Sequence, residues 1–311
     1  MRVLITGGAG YIGTELTRSL AKDPKIEEII IFDNLARKNY NLFITAHKIA
    51  SKITVMDAEI LDSRTLRKVI KDVDAVFHLA AKVTTPYSDQ DPHLFEQTNH
   101  WGTAELVYAI EESDVKKLIF ASSVSIYGAG DKNFNVNDDL NPKTFYAISK
   151  MRAEKQIERI KNKVDVYNFR LGNVYGYSSS VRFDAVINKF MLNAHFRSKI
   201  DVHGDGKQIR PFVHIQNTVR AMHHALYDID PGTYNLVGRN IQISEVVNNL
   251  KQLYPDLETQ FINQHLSLRT LTIEPSTSIT TRDWWDNDDL IDELKEFQAN
   301  FAFTPNAAVM A

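Results

Sequence analysis

Short apolar runs recur along the chain at 2–6, 28–32, 52–56, 73–79, 117–121 and 164–170, each of strand length and rich in β-branched residues. Between them, in stretches such as 12–21 and 94–110, apolar positions return every three to four residues, the period of a helix buried along one stripe. Strand and helix patterns in strict alternation predict βαβ units. The expected architecture is therefore α/β: a doubly wound parallel sheet with helices on both faces and ligands bound outside the carboxyl ends of its strands. After about residue 172 the alternation fades into loops, a helical stretch near 182–197 and the turn Gly204-Asp205-Gly206, which predicts a smaller C-terminal α/β part.

The two parts are not expected to be contiguous. Residues 210–215, the helix-like 217–227 and the strand-like 233–237 are expected to rejoin the first part. The boundaries read as 1–172 plus about 209–237 for the sheet domain, and about 173–208 plus 238–311 for the smaller one. Internal repeats and low-complexity segments are not visible. Trp284-Trp285-Asp286-Asn287-Asp288-Asp289 reads as a surface turn leading into a short amphipathic helix, and no chemistry is assigned to it.

Composition narrows the class. With 311 residues, 43% hydrophobic and 24% charged, the chain can bury a sizeable core. A formal charge of −3 and the lack of a Lys/Arg block speak against nucleic acid as a partner. No stretch reaches the ~20 apolar residues of a membrane span, and the N-terminal apolar run is too short and glycine-interrupted for a signal peptide, so no membrane partner and a cytoplasmic location are expected. Zero cysteines exclude disulfides, thiolate metal sites and a Cys nucleophile. The ten histidines show no metal-ligand spacing, so no metal is expected, and His78 reads as a core residue.

The densest chemistry lies at the N-terminus. Four of the 13 glycines fall in Gly7-Gly8-Ala9-Gly10-Tyr11-Ile12-Gly13, directly after the first apolar run and at the start of a helix. Gly7, Gly10 and Gly13 allow a tight turn, close approach of backbone to a phosphate and close helix–strand packing, while the helix N-terminus offers free N–H groups to an anion. The second apolar run ends at Asp33, 20 residues beyond Gly13, the spacing of an acid that accepts from the adenosine ribose hydroxyls. This favours NAD, although Arg37 and Lys38 keep NADP open. A second constellation is Ser123, at the end of a strand, with Tyr146 and Lys150 four residues apart on one helix face. A phenol with a pKa of about 10 is a poor base near neutrality, and an adjacent ammonium favours its ionised form.

In combination these motifs resemble the extended short-chain dehydrogenase/reductases of the NAD-dependent nucleotide-sugar epimerase/dehydratase family, of the UDP-glucose 4-epimerase type. The resemblance runs over nearly the whole chain: G-x-x-G-x-x-G at 7–13, Asp33-Asn34, Asp57-Ala58, His78-Leu79-Ala80-Ala81, Asn99 with Gly102-Thr103, the Ser-Ser-x-x-x-Tyr-Gly stretch, Tyr146 with Lys150, Arg170-Leu-Gly-Asn173-Val-Tyr-Gly176 and Gly204-Asp-Gly-Lys-Gln-Ile-Arg210-Pro-Phe-Val-His214. It implies a Rossmann-type sheet domain with a smaller C-terminal α/β substrate-binding domain, and a cytoplasmic homodimer built through helices corresponding to 91–112 and 144–161. It implies NAD held by Gly7, Gly10, Tyr11, Ile12, Gly13, Asp33, Asn34, Asp57, Ala58, Leu79, Ala80, Ala81, Asn99 and Ala121, together with Tyr146 and Lys150. Ser123, Tyr146 and Lys150 carry catalysis by the same resemblance. A nucleotide-sugar substrate is assigned to Ser123, Asn173, Arg210, His214 and Arg269, with Arg210 on the diphosphate, which suits a planar guanidinium.

Side residues choose among the family's reactions. Its 4,6-dehydratases carry Thr-Asp-Glu where this chain has Ser123-Val124-Ser125, and without that acid/base pair the loss of water across C5 and C6 has no proton donor or acceptor. Ser125 also replaces the Cys of 3,5-epimerase/reductases. C4 epimerisation through a transient 4-keto sugar remains the leading expectation, with nucleotide-sugar 4-dehydrogenase or 4-ketoreductase as the alternative and a non-catalytic NAD-binding sensor as a distant third. Departures at Pro211, Gln216-Asn217, and Arg182-Phe183-Asp184 after the serine run Ser178 to Ser180 leave the sugar, the nucleotide and the direction of flux undetermined.

Overall fold

Neighbouring residues of the first strand point into different cores, and this is what makes the sheet doubly wound. The computed structural model describes residues 1–44, 52–83, 91–130, 132–263 and 268–303. In β1 (Arg2–Thr6), Val3 and Ile5 join one apolar cluster and Leu4 joins another. The same split repeats in β2 (Glu28–Asp33), where Ile29 and Ile31 face one way and Ile30 and Phe32 the other, in β4 (Ala75–His78) and in β5 (Lys117–Ser123). Successive side chains of a strand leave on opposite faces, so a run apolar at every position requires cover on both.

The main sheet has seven strands in the order β11-β7-β5-β4-β1-β2-β3, with β3 (Ile53–Asp57), β7 (Asp165–Leu171) and β11 (Gly232–Leu236), and all its pairings are parallel. Helices α1 (Tyr11–Ala21) and α8 (Ile215–His224) cover the first face, and α3 (Ser63–Val69), α5 (Gly102–Glu111) and α6 (Phe145–Glu158) cover the second. The order reverses between β1 and β4, and the carboxyl ends on either side of that point form the natural ligand crevice.

The helix expected over 94–110 is composite. It runs as α4 (Pro92–Phe95), a π-helical turn Glu96–Trp101, then α5. The widened turn contains Asn99, and π-turns of this kind cluster at functional sites.

The remaining elements build smaller sheets: β12-β10-β8 from β8 (Asn173–Tyr175), β10 (Ile209–His214) and β12 (Arg239–Gln242); β13-β9 from β9 (Lys199–His203) and β13 (Glu258–Ile262); and β14-β6 from β6 (Asn133–Phe134) and β14 (Thr272–Ile273). The core beneath the first of these takes in α7 (Val186–Arg197), α9 (Ile243–Leu253) and α11 (Leu290–Ala299), while the single turns α2 (Asn41–Ile44) and α10 (Thr277–Thr280) complete the set.

Two sequence expectations are corrected here. Residues 210–215 do not join the main sheet: β10 pairs parallel with β8 and antiparallel with β12, and only α8 and β11 return to the larger body. The Trp284-Trp285 stretch is not a plain surface turn. Trp285 is buried in the core under α8, and Trp284 stacks on His224 with ring centroids 4.5 Å apart. Residues 304–311, assigned to the second part from sequence, lie outside the described residues. Among the described residues no helix is long and apolar enough to cross a membrane.

Candidate active site

A cleft of about 1170 Å³ follows the carboxyl ends of the main-sheet strands across the switch point and continues to the small β12-β10-β8 sheet. One end is built by the glycine turn. Gly7 takes φ +75°, its N–H donates to the Phe32 carbonyl at 2.9 Å, and the Gly10 N–H donates to the Gly7 carbonyl at 3.1 Å. A Cβ at Gly13 would stand 2.4 Å from the Gly7 carbonyl oxygen and 2.6 Å from Gly8 Cα, so helix α1 reaches its strand only with glycine there. At Gly10 a Cβ would meet only the Gly7 oxygen, at 3.1 Å, which leaves that side of the turn open to the cleft. Helix α1 starts after Gly10 without a side-chain cap, so its first N–H groups remain available to an anion.

Asp33, at the end of β2, is fastened by its neighbours. One carboxylate oxygen accepts from Ala9 N at 3.0 Å and the other from Leu35 N at 2.8 Å. Burial pushes its pKa up while those backbone N–H groups and the Arg37 charge oppose the shift. Two N–H bonds leave lone pairs free for ribose hydroxyls. A glycine cradle for a diphosphate and a fixed carboxylate for an adenosine ribose fit a dinucleotide of the NAD type.

At the middle of the cleft stand the residues expected to carry chemistry. The α6 helix begins at Thr144, whose hydroxyl accepts from Ala147 N at 3.1 Å, and this cap sets Tyr146 in the first turn. Burial raises the Tyr146 phenol above its ordinary value, while the Ser123 hydroxyl and the Arg182 charge work in the opposite direction. Lys150, one turn along, is buried, and its Nζ donates to the Ala121 carbonyl at 2.7 Å. Burial brings its pKa down to about 7, partly offset by Glu154. Ser123 shares a 2.9 Å hydroxyl contact with Ser125 and accepts from Ser125 N at 3.2 Å.

The far end carries cations. Arg210 lines the cleft, and burial lowers its pKa; its Nη1 donates only to carbonyls, those of Ile209 at 3.0 Å and of Arg269. Among the described residues neither Arg210 nor Arg269 has a carboxylate partner. A half-buried guanidinium bonded only to carbonyls is suited to an anionic ligand. Asn173 lines the same end, with its amide donating to the Pro211 carbonyl at 2.9 Å.

Of the residues singled out from sequence, the structure brings Gly7, Gly10, Tyr11, Ile12, Gly13, Asp33, Asn34, Ala58, Leu79, Ala80, Ala81, Ala121, Ser123, Tyr146, Lys150, Asn173, Arg210 and Arg269 to this one cleft. Three do not line it. Asp57 is exposed beside it. Asn99 is buried and braces the wall: its Oδ1 accepts from Lys82 N at 2.7 Å, and its Nδ2 donates to the Lys82 carbonyl at 3.0 Å and to Ser149 Oγ of α6 at 2.9 Å. His214 faces a second, smaller cavity and packs edge-on against Tyr175, and burial holds its pKa down to about 4. It shares a face of β10 with Arg210, but at about 3.3 Å per residue four positions carry it roughly 13 Å further along the strand. His78 is the core residue expected, hydrogen-bonded to Thr6 at 2.7 Å and Thr103 at 2.8 Å. Arg182 is the residue that sequence reasoning missed as functional; only its odd position after a serine run marked it.

The profile of the NAD dependent epimerase/dehydratase family matches residues 3–237. The chain belongs to that family. Being a member of this NAD-dependent family makes it an enzyme of nucleotide-sugar metabolism with NAD as cofactor. Curated relatives in the epimerase/dehydratase family include the dTDP-D-glucose 4,6-dehydratase of Homo sapiens, 32% identical over 259 residues, covering 81% of this chain and 73% of the relative. Another is a putative UDP-glucose 4-epimerase of Methanocaldococcus jannaschii, 29% identical over 228 residues, covering 70% and 71%. Among solved structures, UDP-N-acetylglucosamine 4-epimerase from Methanobrevibacter ruminantium superposes with TM-score 0.83 at 25% identity, over 96% of this chain and 97% of that one. The UDP-glucuronic acid 4-epimerase of Bacillus cereus shares the fold at TM-score 0.85 and 21% identity, over 96% and 98%.

Proposed function

We propose that the protein is an NAD-dependent nucleotide-sugar 4-epimerase. The observation that carries this reading is the make-up of the cleft around Tyr146. Burial raises the pKa of the phenol while Ser123 and Arg182 oppose the shift, and among the described residues no carboxylate takes part. Beside Ser123, Val124 is buried and Ser125 bonds back to Ser123, so the two positions where dehydratases of the family carry an acid pair offer an alkyl group and a hydroxyl already in use. One proton-transfer group suffices to deprotonate and reprotonate a single sugar hydroxyl. Elimination of water across a neighbouring bond needs a second acid and a second base. That difference outweighs the 4,6-dehydratases among the relatives.

The roles of the chain's own groups follow. Gly7, Gly10 and Gly13 with the α1 N-terminus, Asp33, Ala58 and the 79–81 wall would hold the dinucleotide, and Asn99 would keep that wall in register with α6. NAD, when bound, supplies the reversible hydride store. Tyr146 takes the proton of the sugar hydroxyl and later returns it, with Ser123 holding the same oxygen. The Lys150 ammonium, at the Ala121 carbonyl, favours the ionised phenol. Arg210 and Arg269 grip the diphosphate, and Asn173 lies beside it; a substrate held only by this remote end leaves its sugar free to present either face.

The test is a panel of nucleotide sugars incubated with the purified protein, read by NMR for the C4 epimer and by absorbance for NADH. The epimer with the cofactor returned oxidised is expected. A 4-keto product with stoichiometric NADH would replace this reading by the 4-dehydrogenase, and a 6-deoxy-4-keto product by the dehydratase. Arg210→Ala is expected to raise KM roughly 10- to 100-fold with kcat little changed, the loss of a charge-assisted pair that binds ground and transition states alike.

We also propose a homodimer through the 91–112 and 144–161 helices. Trp101 is 51% exposed, and Tyr108 and Phe145 of the same helices are exposed as well. Large exposed apolar residues are available for burial against a partner. Light scattering is expected to give twice the 35.5 kDa chain mass, reduced to one chain by Trp101→Glu.

A further inference from the structure

The serine run after Gly176 is a seam. Tyr11 Oη donates to the Gly176 carbonyl at 2.6 Å, Thr14 Oγ1 to Ser180 Oγ at 2.8 Å, Ser178 Oγ to Glu15 at 2.8 Å, and Asn41 Nδ2 to the Ser179 carbonyl at 2.5 Å. Thr14, Ser178 and Ser180 are buried. These bonds join α1 and α2, at the glycine-turn end of the main sheet, to a loop more than 130 residues away in sequence. The loop is braced from its own side as well: Asn188 accepts from Gly176 N at 3.1 Å and donates to the Arg182 carbonyl at 3.1 Å.

What the seam holds in place is a charged roof. Arg182 and Asp184, ion-paired at 2.9 Å, line the cleft from the loop, and Arg37 lines it from the segment after β2. The Arg37 charge feels Asp33, Asp184 and Arg182, whereas Arg182 acts on both Tyr11 and Tyr146. Asp33, Arg37, Asp184, Arg182 and Tyr146 all line the one cleft. Two cations therefore share one cleft with the glycine turn, the part of it suited to a diphosphate.

We propose that residues 176–184 are a clasp that retains the dinucleotide between turnovers, with Arg37 and Arg182 facing its diphosphate and the serine seam as the fastening. The inference rests on the 4-epimerase reading and deepens it: a cofactor that returns to its starting redox state has no need to leave, whereas a stoichiometric oxidant must exchange in every cycle. Release requires the seam bonds to open together, so dissociation is slow even though each bond is modest.

The experiment loads the full chain with radiolabelled NAD, removes the excess by desalting, and follows loss of label during a chase with unlabelled NAD. Thr14→Val with Ser180→Ala removes one seam bond while preserving volume, and Asn41→Ala removes another at an exposed side chain. Each is expected to release label roughly tenfold faster than the parent, and the combination faster still, with turnover at saturating NAD within about twofold of the parent. Label lost from the folded variants at the parent's rate, or from the parent within the time of one turnover, overturns the clasp. Should the double variant not fold, Asn41→Ala alone decides between these outcomes. The chase contains no sugar, so a failed epimerase assay does not alter its result, and rapid release from an active epimerase overturns the clasp alone.

Discussion

Tyr146→Phe is expected to lower kcat by roughly 10³- to 10⁴-fold while leaving the fold and cofactor content intact. The change removes one oxygen. The ring keeps its edge-on contact with Phe95, centroids 6.3 Å apart, and its place one turn after the Thr144 cap. Among the described residues its neighbours are poorly placed to take over the proton. Ser123 and Ser125 are hydroxyls of high pKa bonded to each other, and Lys150 is turned to the Ala121 carbonyl. Because the loss falls on a group that acts only in the chemical step, KM should move far less than kcat. A variant that keeps more than about a tenth of the parent rate would remove Tyr146 from the acid/base role and shift attention to Lys150, whose pKa burial brings down to about 7.

Much of this site was legible in the sequence because its parts are local. The glycine turn, Asp33 and the Tyr146–Lys150 pair each depend on spacing within one strand–turn–helix unit or one helix, and period and backbone freedom suffice to read them. The main sheet was legible for the same reason: its strands are apolar at every position because both faces are covered. What was hidden is what distant segments do to one another. The serine seam joins residues 138 to 166 apart through single hydroxyl and amide hydrogen bonds, too weak a pattern to stand out among ordinary polar loops. Arg182 lines the cleft from the loop that this seam fastens. Asn99 was placed among the cofactor ligands, yet its amide is spent on the Lys82 backbone and Ser149, a role fixed by a π-turn that no short apolar pattern announces. Residues 210–215 were grouped with the sheet domain, yet β10 pairs with β8 and β12, because a six-residue strand carries no label for the sheet it joins and its partner is settled by tertiary packing.

Glu154→Ala is expected to destabilise the protein by about 3–5 kcal/mol, the cost of stranding one partner of a buried ion pair. Glu154 and Arg170 are both buried and meet in two parallel hydrogen bonds, Nε to Oε1 at 3.1 Å and Nη2 to Oε2 at 2.8 Å. The same carboxylate accepts from Ser122 Oγ, and the guanidinium continues through Tyr127 at 2.7 Å to Asn235 at 2.7 Å, linking β5, α6, β7 and β11. Removing Glu154 leaves a largely buried guanidinium without its counter-charge and a buried serine hydroxyl without its acceptor. For a chain of this length that loss corresponds to a melting point lower by roughly 5–8 °C. The half-exposed pair Arg2–Glu28, at 2.8 Å, provides the contrast: Glu28→Ala should cost under about 1 kcal/mol, because water can replace the partner. Replacing Glu154 and Arg170 together by Leu and Met removes the stranded charge but leaves Ser122 and Tyr127 short of a partner, so it should recover only part of the loss. Activity should fall with stability in the single variant, since Ser122 precedes Ser123 and Glu154 stands one turn beyond Lys150 on α6. A melting curve for Glu154→Ala within about 1 °C of the parent would show that water or a local shift satisfies Arg170, and the buried network would then not be what holds the catalytic strand to its helix.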